Sequence, residues 1–89
     1  MRGHRLPDST DRSCPDMQPG DYVKIHGIGW YCMTPNGHAG NLSNHLIKEH
    51  DDGSITVSPS IKLSIQRNDG RGEVELWHGY LELGLWRSC

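Results

Sequence analysis

The chain has 89 residues, which is the length of one small domain. Its formal net charge is −2 and it contains no basic block, so the composition argues against a surface that binds nucleic-acid phosphates. No run of 18 apolar residues is present, and the first residues lack the apolar segment of a secretory signal, so we expect a cytoplasmic protein without a membrane partner. The cysteines are an odd number (Cys14, Cys32 and Cys89), which argues against a disulfide framework.

Residues 1–20 are predicted to form a disordered tail. The segment MRGHRLPDSTDRSCPDMQPG contains three prolines, no aromatic residue and balanced charges. It offers little apolar surface to offset an ordering entropy of about 1–2 kcal/mol per residue. We therefore place a domain boundary at residue 20, with a small β domain over residues 21–89.

Strand patterns begin directly after this boundary. The stretch DYVKIHG alternates polar and apolar residues, and GWYCMT is a second strand candidate that ends in the turn PNGHAG. The next stretch, NLSNHLIKEH, also admits a helix, since Leu42 and Leu46 have helical spacing and Asn41 could cap it. Its Asn, Ser and His residues are mediocre helix formers and a turn follows at 51–53, so we favour a strand.

The second half of the chain continues the β pattern. SITVS and SIKLSI each place their branched residues on one face: Ile55 and Val57, then Ile61, Leu63 and Ile65. QRNDGRGE is a polar turn, VELWHGYL is a long alternating strand, and a tight turn near Leu83 and Gly84 leads into LWRSC. The sequence thus predicts a mostly β fold, a small antiparallel meander of five to seven strands built from hairpins, with a barrel-like or sandwich-like shape.

Two pieces of this half, DGSITVSPSI at residues 52–61 and WHGYLELGLWRSC at residues 77–89, resemble a family of short uncharacterised proteins from bacteria, prophages and tailed phages. Its members carry a cysteine-rich turn, an acidic-Gly-x-x-Thr-x-Ser-Pro-Ser strand and a Cys-His-x-Phe hairpin. Here WYCMTPNGHAG keeps only Cys32 of the cysteine-rich turn, and Trp77-His78 replaces the Cys-His pair. The resemblance covers residues 28–89 and implies a phage- or prophage-type accessory protein in the host cytoplasm, without an assigned activity.

A structural zinc site is the metal-binding alternative. Tetrahedral zinc takes four Cys or His ligands, and the candidates are Cys32, His38, His78 and Cys89. No C-x-x-C pair is present, so the pattern is that of a degenerate zinc-ribbon-like domain. The competing interpretation is that Cys32 is a small buried hydrophobe and Cys89 a terminal residue. The remaining central histidines are expected on solvated strand faces: His26, His45 and His50.

The aromatic residues supply a candidate interaction surface. Because Phe is absent, we expect Trp30 and Trp86 in the core, whereas Trp77 and Tyr80 stay open between core and interface. Pro59 predicts an edge strand or a bulge, since proline cannot donate to a ladder, and such an edge could accept a partner strand. We name Trp77, Tyr80 and Pro59 as this surface, for a protein partner or a second copy of the chain.

Catalysis has weaker support from the sequence. Cys32 with a histidine and with Asp69 or Glu75 would supply the residue types of a triad, but the apolar neighbours of Cys32 give no reason for an activated thiol. GIG and GRGE lack the lysine and helix of a phosphate-binding loop. We therefore name no catalytic residue and no cofactor other than the zinc alternative, and expect a non-enzymatic interaction module.

Overall fold

The computed structural model describes residues 1–10, 16–67, 70 and 72–89. This part of the chain contains no helix, and hence none that could cross a membrane. Its nine strands are β1 His4–Arg5, β2 Asp21–Ile25, β3 Gly29–Met33, β4 Ala39–Asn41, β5 Leu46–Glu49, β6 Ile55–Ser58, β7 Ile61–Gln66, β8 Glu73–Glu82 and β9 Leu85–Ser88. The mostly β prediction is confirmed. The strands outnumber the predicted five to seven because β1 and β4 are too short to show alternation.

Three small sheets make up the fold. The first has the order β1-β2-β3-β4, the second is the β5-β6 hairpin, and the third has the order β7-β8-β9. Only the β1–β2 pair among these is parallel. Isolated bridges join Arg2 to Leu85 and Ser9 to Ile25, so the residues before β2 connect the first sheet with the third.

The turn residues of the hairpins account for their positions. Gly53 has a φ of 87° in the β5–β6 turn, where the Asp52 carboxylate accepts hydrogen bonds from the backbone N–H and hydroxyl of Ser54. Leu83 and Gly84 have φ values of 50° and 75°, the left-handed geometry of a two-residue turn that matches strand twist. Both predicted turns are confirmed, and NLSNHLIKEH contains strand β5 rather than a helix.

The main core lies between the three sheets and contains all three tryptophans. Its buried members are Tyr22, Trp30, Cys32, Leu42, Ile55, Val57, Ile61, Trp77, Leu81 and Trp86. The Trp77 and Trp86 rings meet edge to face with centroids 5.3 Å apart. The Trp86 indole N–H donates to the Gly20 carbonyl at 2.9 Å, which satisfies its one polar atom inside the core. The predicted core positions of Trp30 and Trp86 are thus confirmed.

Strand β2 is buried on both of its faces. Tyr22 points into the main core, whereas Val23 and Ile25 point to the other side, where they form a second cluster with Met17. Leu6 packs against this second cluster from the segment that precedes β2. Residues before β2 therefore cover an apolar face that the hairpins leave open.

The structure does not support a disordered tail at residues 1–20. Residues 1–10 and 16–20 lie against the sheets, while residues 11–15 fall outside the described part of the chain. The Leu6 N–H donates to the Tyr22 carbonyl at 2.9 Å, and the Trp86 N–H donates to the Met1 carbonyl at 2.7 Å. Disorder was predicted from the side chains of this segment alone. Its order comes from backbone hydrogen bonds to the edges of other strands and from contact with an apolar face that residues elsewhere in the chain form.

The β7–β8 hairpin carries a β-bulge. Leu63 pairs with Trp77 but Ser64 pairs with Glu75, so Leu76 is one extra residue in β8. Beyond the bulge the hairpin extends past the core, and the side chain of Ile65 is 53% exposed. We call this outer end, residues 64–66 and 73–75, the hairpin arm.

Candidate functional site

The four candidate zinc ligands do not converge. Cys32 is fully buried in the main core beside Gly40 of β4, and His38 is half-buried in the turn before β4. Cys89 and His78 are neighbours, since the Cys89 N–H donates to the His78 carbonyl at 3.0 Å. In β8, however, Trp77 faces the core, so the adjacent His78 faces outward and away from Cys32.

No group of three or more Cys, His, Asp or Glu side chains is arranged to hold a metal ion in the described part of the chain. The zinc alternative thus gains no geometric support there.

The structure separates the three residues of the predicted interaction surface. Trp77 is 8% exposed and belongs to the core. Pro59 is exposed and Tyr80 is half-buried, and the two line the same groove. This groove, which we call the Pro59 groove, has a volume of about 380 Å³, and its other lining residues are Thr56, Val57, Ser58, Ser60 and Glu82. Arg87 covers the Tyr80 ring at 5.0 Å and pairs with Glu82 at 2.9 Å, which fixes one wall.

A polar chain of three side chains adjoins this groove. The Ser60 Oγ lies 3.0 Å from Nε2 of His78, and Nδ1 of the same ring lies 3.6 Å from Oε1 of Glu75. A regular strand would place Glu75 and His78 on opposite faces, because they are three positions apart. The extra residue Leu76 shifts the alternation of β8 by one position. The Glu75 carboxylate therefore lies on the outward face, which also carries the His78 imidazole.

His45 binds the backbone of the same serine. Its Nε2 lies 3.1 Å from the Ser60 carbonyl, and because a carbonyl only accepts, Nε2 carries the hydrogen. In the neutral ring Nδ1 is then an acceptor; it is buried and has no hydrogen-bond partner among the described residues. The expectation that His45 lies on a solvated strand face is wrong, since its ring is half-buried and packs beside Ser60.

A larger groove of about 820 Å³ lies beside the first residues of the chain. Three of its lining groups have displaced pKa values. Burial raises the pKa of Tyr22, and the Ser54 hydroxyl hydrogen bond lowers the pKa of Asp52. Burial acts to lower the pKa of Arg5, but its hydrogen bond and charge interaction with Asp8 outweigh this and raise it.

Perturbed groups in a groove often mark a functional site. Here contacts within the chain account for them. The Arg5 guanidinium contacts the Asp8 and Glu49 carboxylates and the Gly53 carbonyl, and it stacks 4.8 Å above the Trp30 ring. This arrangement ties the first residues to the β5–β6 hairpin. The Arg5 charge in this groove is therefore already paired within the chain.

The hairpin arm exposes an apolar pair on two neighbouring strands. Ile65 is 53% exposed and Val74 37% exposed, and they are directly opposed in the ladder. β9 extends along β8 only as far as Gly79, and the Asn36 side-chain amide donates to the Leu76 carbonyl. The edge of β8 over residues 73–75 consequently has no neighbouring strand among the described residues on the β9 side.

Sequence reasoning missed Ser60 and the hairpin arm. Ser60 belongs to the SPSI stretch, which was interpreted only as an edge signal, and its contacts with His45 and His78 span 15 and 18 residues. Residues 64–66 and 73–75 flank a predicted turn, but nothing in their pattern shows where the core ends. Compared with known proteins, the chain matches no protein-family model, no curated protein and no solved structure.

Proposed function

We propose that this chain is a small phage- or prophage-type accessory protein that acts by binding another protein through the hairpin arm. The family resemblance described above motivates the accessory role. The observation that carries the binding role is the exposed Ile65–Val74 pair beside an unpaired strand edge. Unpaired strand edges are templates for strand addition, and the backbone groups of an incoming segment supply affinity.

The acidic side chains of the hairpin arm indicate the charge that a partner segment needs. Glu73 and Glu75 are exposed and flank Val74 on the free edge. Acidic side chains on an edge oppose pairing with a second copy of the same edge, because like charges would face each other. An extended partner segment with an apolar residue between basic residues complements both the apolar pair and the acidic edge.

The test compares charge insertions at matched exposed positions. Ile65→Lys and Val74→Lys place a charge on the apolar pair, and Leu46→Lys makes the same change at another site, where the side chain is 78% exposed. The tagged proteins are used to capture partners from a lysate of the producing cells, after thermal denaturation has shown that all variants fold.

We expect one protein to be captured by the unaltered chain and by Leu46→Lys, and to be lost with both arm variants. Capture that is unchanged in the arm variants, or no capture by any form of the chain, contradicts the proposal.

A further inference from the structure

We propose that Ser60, His78 and Glu75 form a hydrolytic site in which the Ser60 hydroxyl attacks small carboxylic esters. This activity goes beyond the binding role of the hairpin arm and does not rest on it. It differs from the expectation that the chain is not an enzyme. It stands on the three side-chain positions, on the fixed backbone of Ser60 and on the groove beside it.

The three side chains have the order of contacts that nucleophilic catalysis by serine requires. A nucleophile within hydrogen-bond reach of a base, with the base oriented by a third group, is the general signature. The 3.0 Å contact between Ser60 Oγ and His78 Nε2 meets the first condition. The 3.6 Å separation between His78 Nδ1 and the Glu75 carboxylate meets the second as an ion-pair distance. Catalytic contacts are often long before the substrate binds and tighten in the transition-state complex.

The tautomer of His78 follows from this arrangement. A carboxylate only accepts hydrogen bonds, so Glu75 favours the form of the ring in which Nδ1 carries the hydrogen. Nε2 is then free to accept the Ser60 hydroxyl hydrogen. The β-bulge at Leu76 makes this possible, since without it the carboxylate and the imidazole would lie on opposite faces of β8.

The backbone of Ser60 is fixed independently of His78. The His45 Nε2–H donates to the Ser60 carbonyl at 3.1 Å, from a ring that is itself half-buried. A nucleophile held by its backbone keeps its hydroxyl at one distance from the base, which reduces the entropy lost at the reaction step. His45 is thus a positioning residue.

A groove for the substrate lies beside Ser60, and a positively charged side chain projects from the same face of the hairpin as His78. Ser60 lines the Pro59 groove, whose volume of about 380 Å³ falls near the lower limit of small-ligand sites. Pro59 and Tyr80 give this groove an apolar surface for a short acyl chain. Lys62 is directly opposed to His78 in the ladder, so its side chain projects from the same face of the hairpin as the imidazole and adds a positive charge to that face.

The reaction proceeds in two balanced halves. The Ser60 Oγ forms a bond to the ester carbonyl carbon while its proton moves to His78 Nε2; the carbon–alkoxide bond then breaks, and the departing alcohol takes that proton. Water next attacks the acyl carbon and gives a proton to Nε2. The bond to Oγ breaks, the proton returns to Ser60, and a carboxylic acid is released.

The first test is covalent labelling with a fluorophosphonate, which loses fluoride when a serine hydroxyl attacks it. Peptide mapping by mass spectrometry locates the label. We expect Ser60 to be labelled at least tenfold faster than Ser58, which lines the same groove. His78→Ala should slow labelling on the order of 100-fold, in keeping with the loss of a general base.

Glu75→Gln should slow labelling about tenfold, and Glu75→Asp should restore part of the rate, because a carboxylate orients the ring and an amide does not. Equal labelling of Ser60 and Ser58, or a rate that His78→Ala leaves unchanged, overturns the proposal. If His78→Ala fails to fold, as thermal denaturation would show, His78→Gln takes its place in the same comparison.

Turnover is measured with p-nitrophenyl acetate. Exposed histidines hydrolyse this ester on their own, so Ser60→Ala is the decisive variant, and Ser43→Ala, at an exposed serine outside the groove, is its matched control. We expect the Ser60→Ala rate to fall to that of free imidazole at the concentration of the chain's six histidines, and the Ser43→Ala rate to stay unchanged. A Ser60→Ala rate equal to that of the unaltered chain overturns the proposal.

Discussion

Trp86→Phe tests the packing of residues 1–10 and 16–20 against the rest of the chain. The indole N–H of Trp86 donates to the Gly20 carbonyl at 2.9 Å, and the side chain is 4% exposed. Phe keeps a ring in this position but removes the donor and part of the buried surface. The Gly20 carbonyl does not lose its last partner, since the His4 N–H also donates to it at 3.2 Å.

The expected loss of stability has two parts. Removal of one buried hydrogen bond costs about 1 kcal/mol. Aromatic side chains bury about 150–250 Å² each, and Phe buries roughly 50 Å² less than Trp. At about 25 cal/mol per Å², this smaller buried area adds roughly 1.3 kcal/mol to the loss of stability. Their sum of about 2 kcal/mol corresponds to a fall in Tm of about 8–16 °C for a chain of this size.

The assay is thermal denaturation followed by circular dichroism, together with amide hydrogen exchange. We expect faster exchange at Gly3 and Leu6, whose N–H groups donate to the Gly84 and Tyr22 carbonyls, because both lie in the segment that Trp86 anchors. Tyr31→Phe is the control. It removes the hydroxyl of a half-buried ring and should change the free energy of unfolding by less than about 0.5 kcal/mol.

An unchanged Tm in Trp86→Phe would refute this reasoning. A lower Tm without faster exchange at Gly3 and Leu6 would also refute it, since the loss of stability would then not come from loosening of the first residues.

Three further predictions concern the core, the charges and the metal alternative. Gly79→Ala should lower the free energy of unfolding by about 1–3 kcal/mol, because the added methyl would strike the Trp77 ring and the backbone of β9, and urea denaturation measures this. A hydrogen bond from Lys24 lowers the pKa of Glu49 below its ordinary 4.5, so the pair stabilises the fold above that pH and the effect is lost as the pH falls further. Glu49→Gln should therefore lower stability at pH 7 by less than about 1 kcal/mol, and the difference should shrink as the pH falls below 4.5; a difference that grows in acid would contradict this sign. Addition of a strong chelator should leave the Tm unchanged, whereas a fall of several degrees would restore the zinc alternative.

The sequence predicted the hairpins well because their signals are local. Gly53 and Gly84 sit in turns with positive φ, a conformation that glycine adopts readily. The core positions of Trp30 and Trp86 followed from composition, since a chain without Phe has few other large side chains to bury. Trp77 was left undecided because alternation defines two faces of a strand without showing which of them is covered.

The placement of the first residues could not be read in the same way. His4 pairs with Asp21, and Arg2 bridges to Leu85, so the partners that order this segment lie elsewhere in the chain. The contact between Ser60 and His78 is also non-local. It depends on a bulge that shifts the register by one residue, and a one-residue shift moves a side chain to the other face of a strand.

The bridge between Arg2 and Leu85 also bears on how the chain folds. Closing a loop of more than 80 residues costs more chain entropy than forming a local hairpin. Contacts between residues far apart in the sequence also slow folding. During synthesis the five hairpins can form as they emerge, and Leu6 can cover Val23 and Ile25 once β2 has formed, because the Leu6 N–H donates to the Tyr22 carbonyl. Met1 and Arg2, the first residues to be made, are nevertheless among the last to be fixed in place, because their backbone partners Trp86 and Leu85 lie in the final strand.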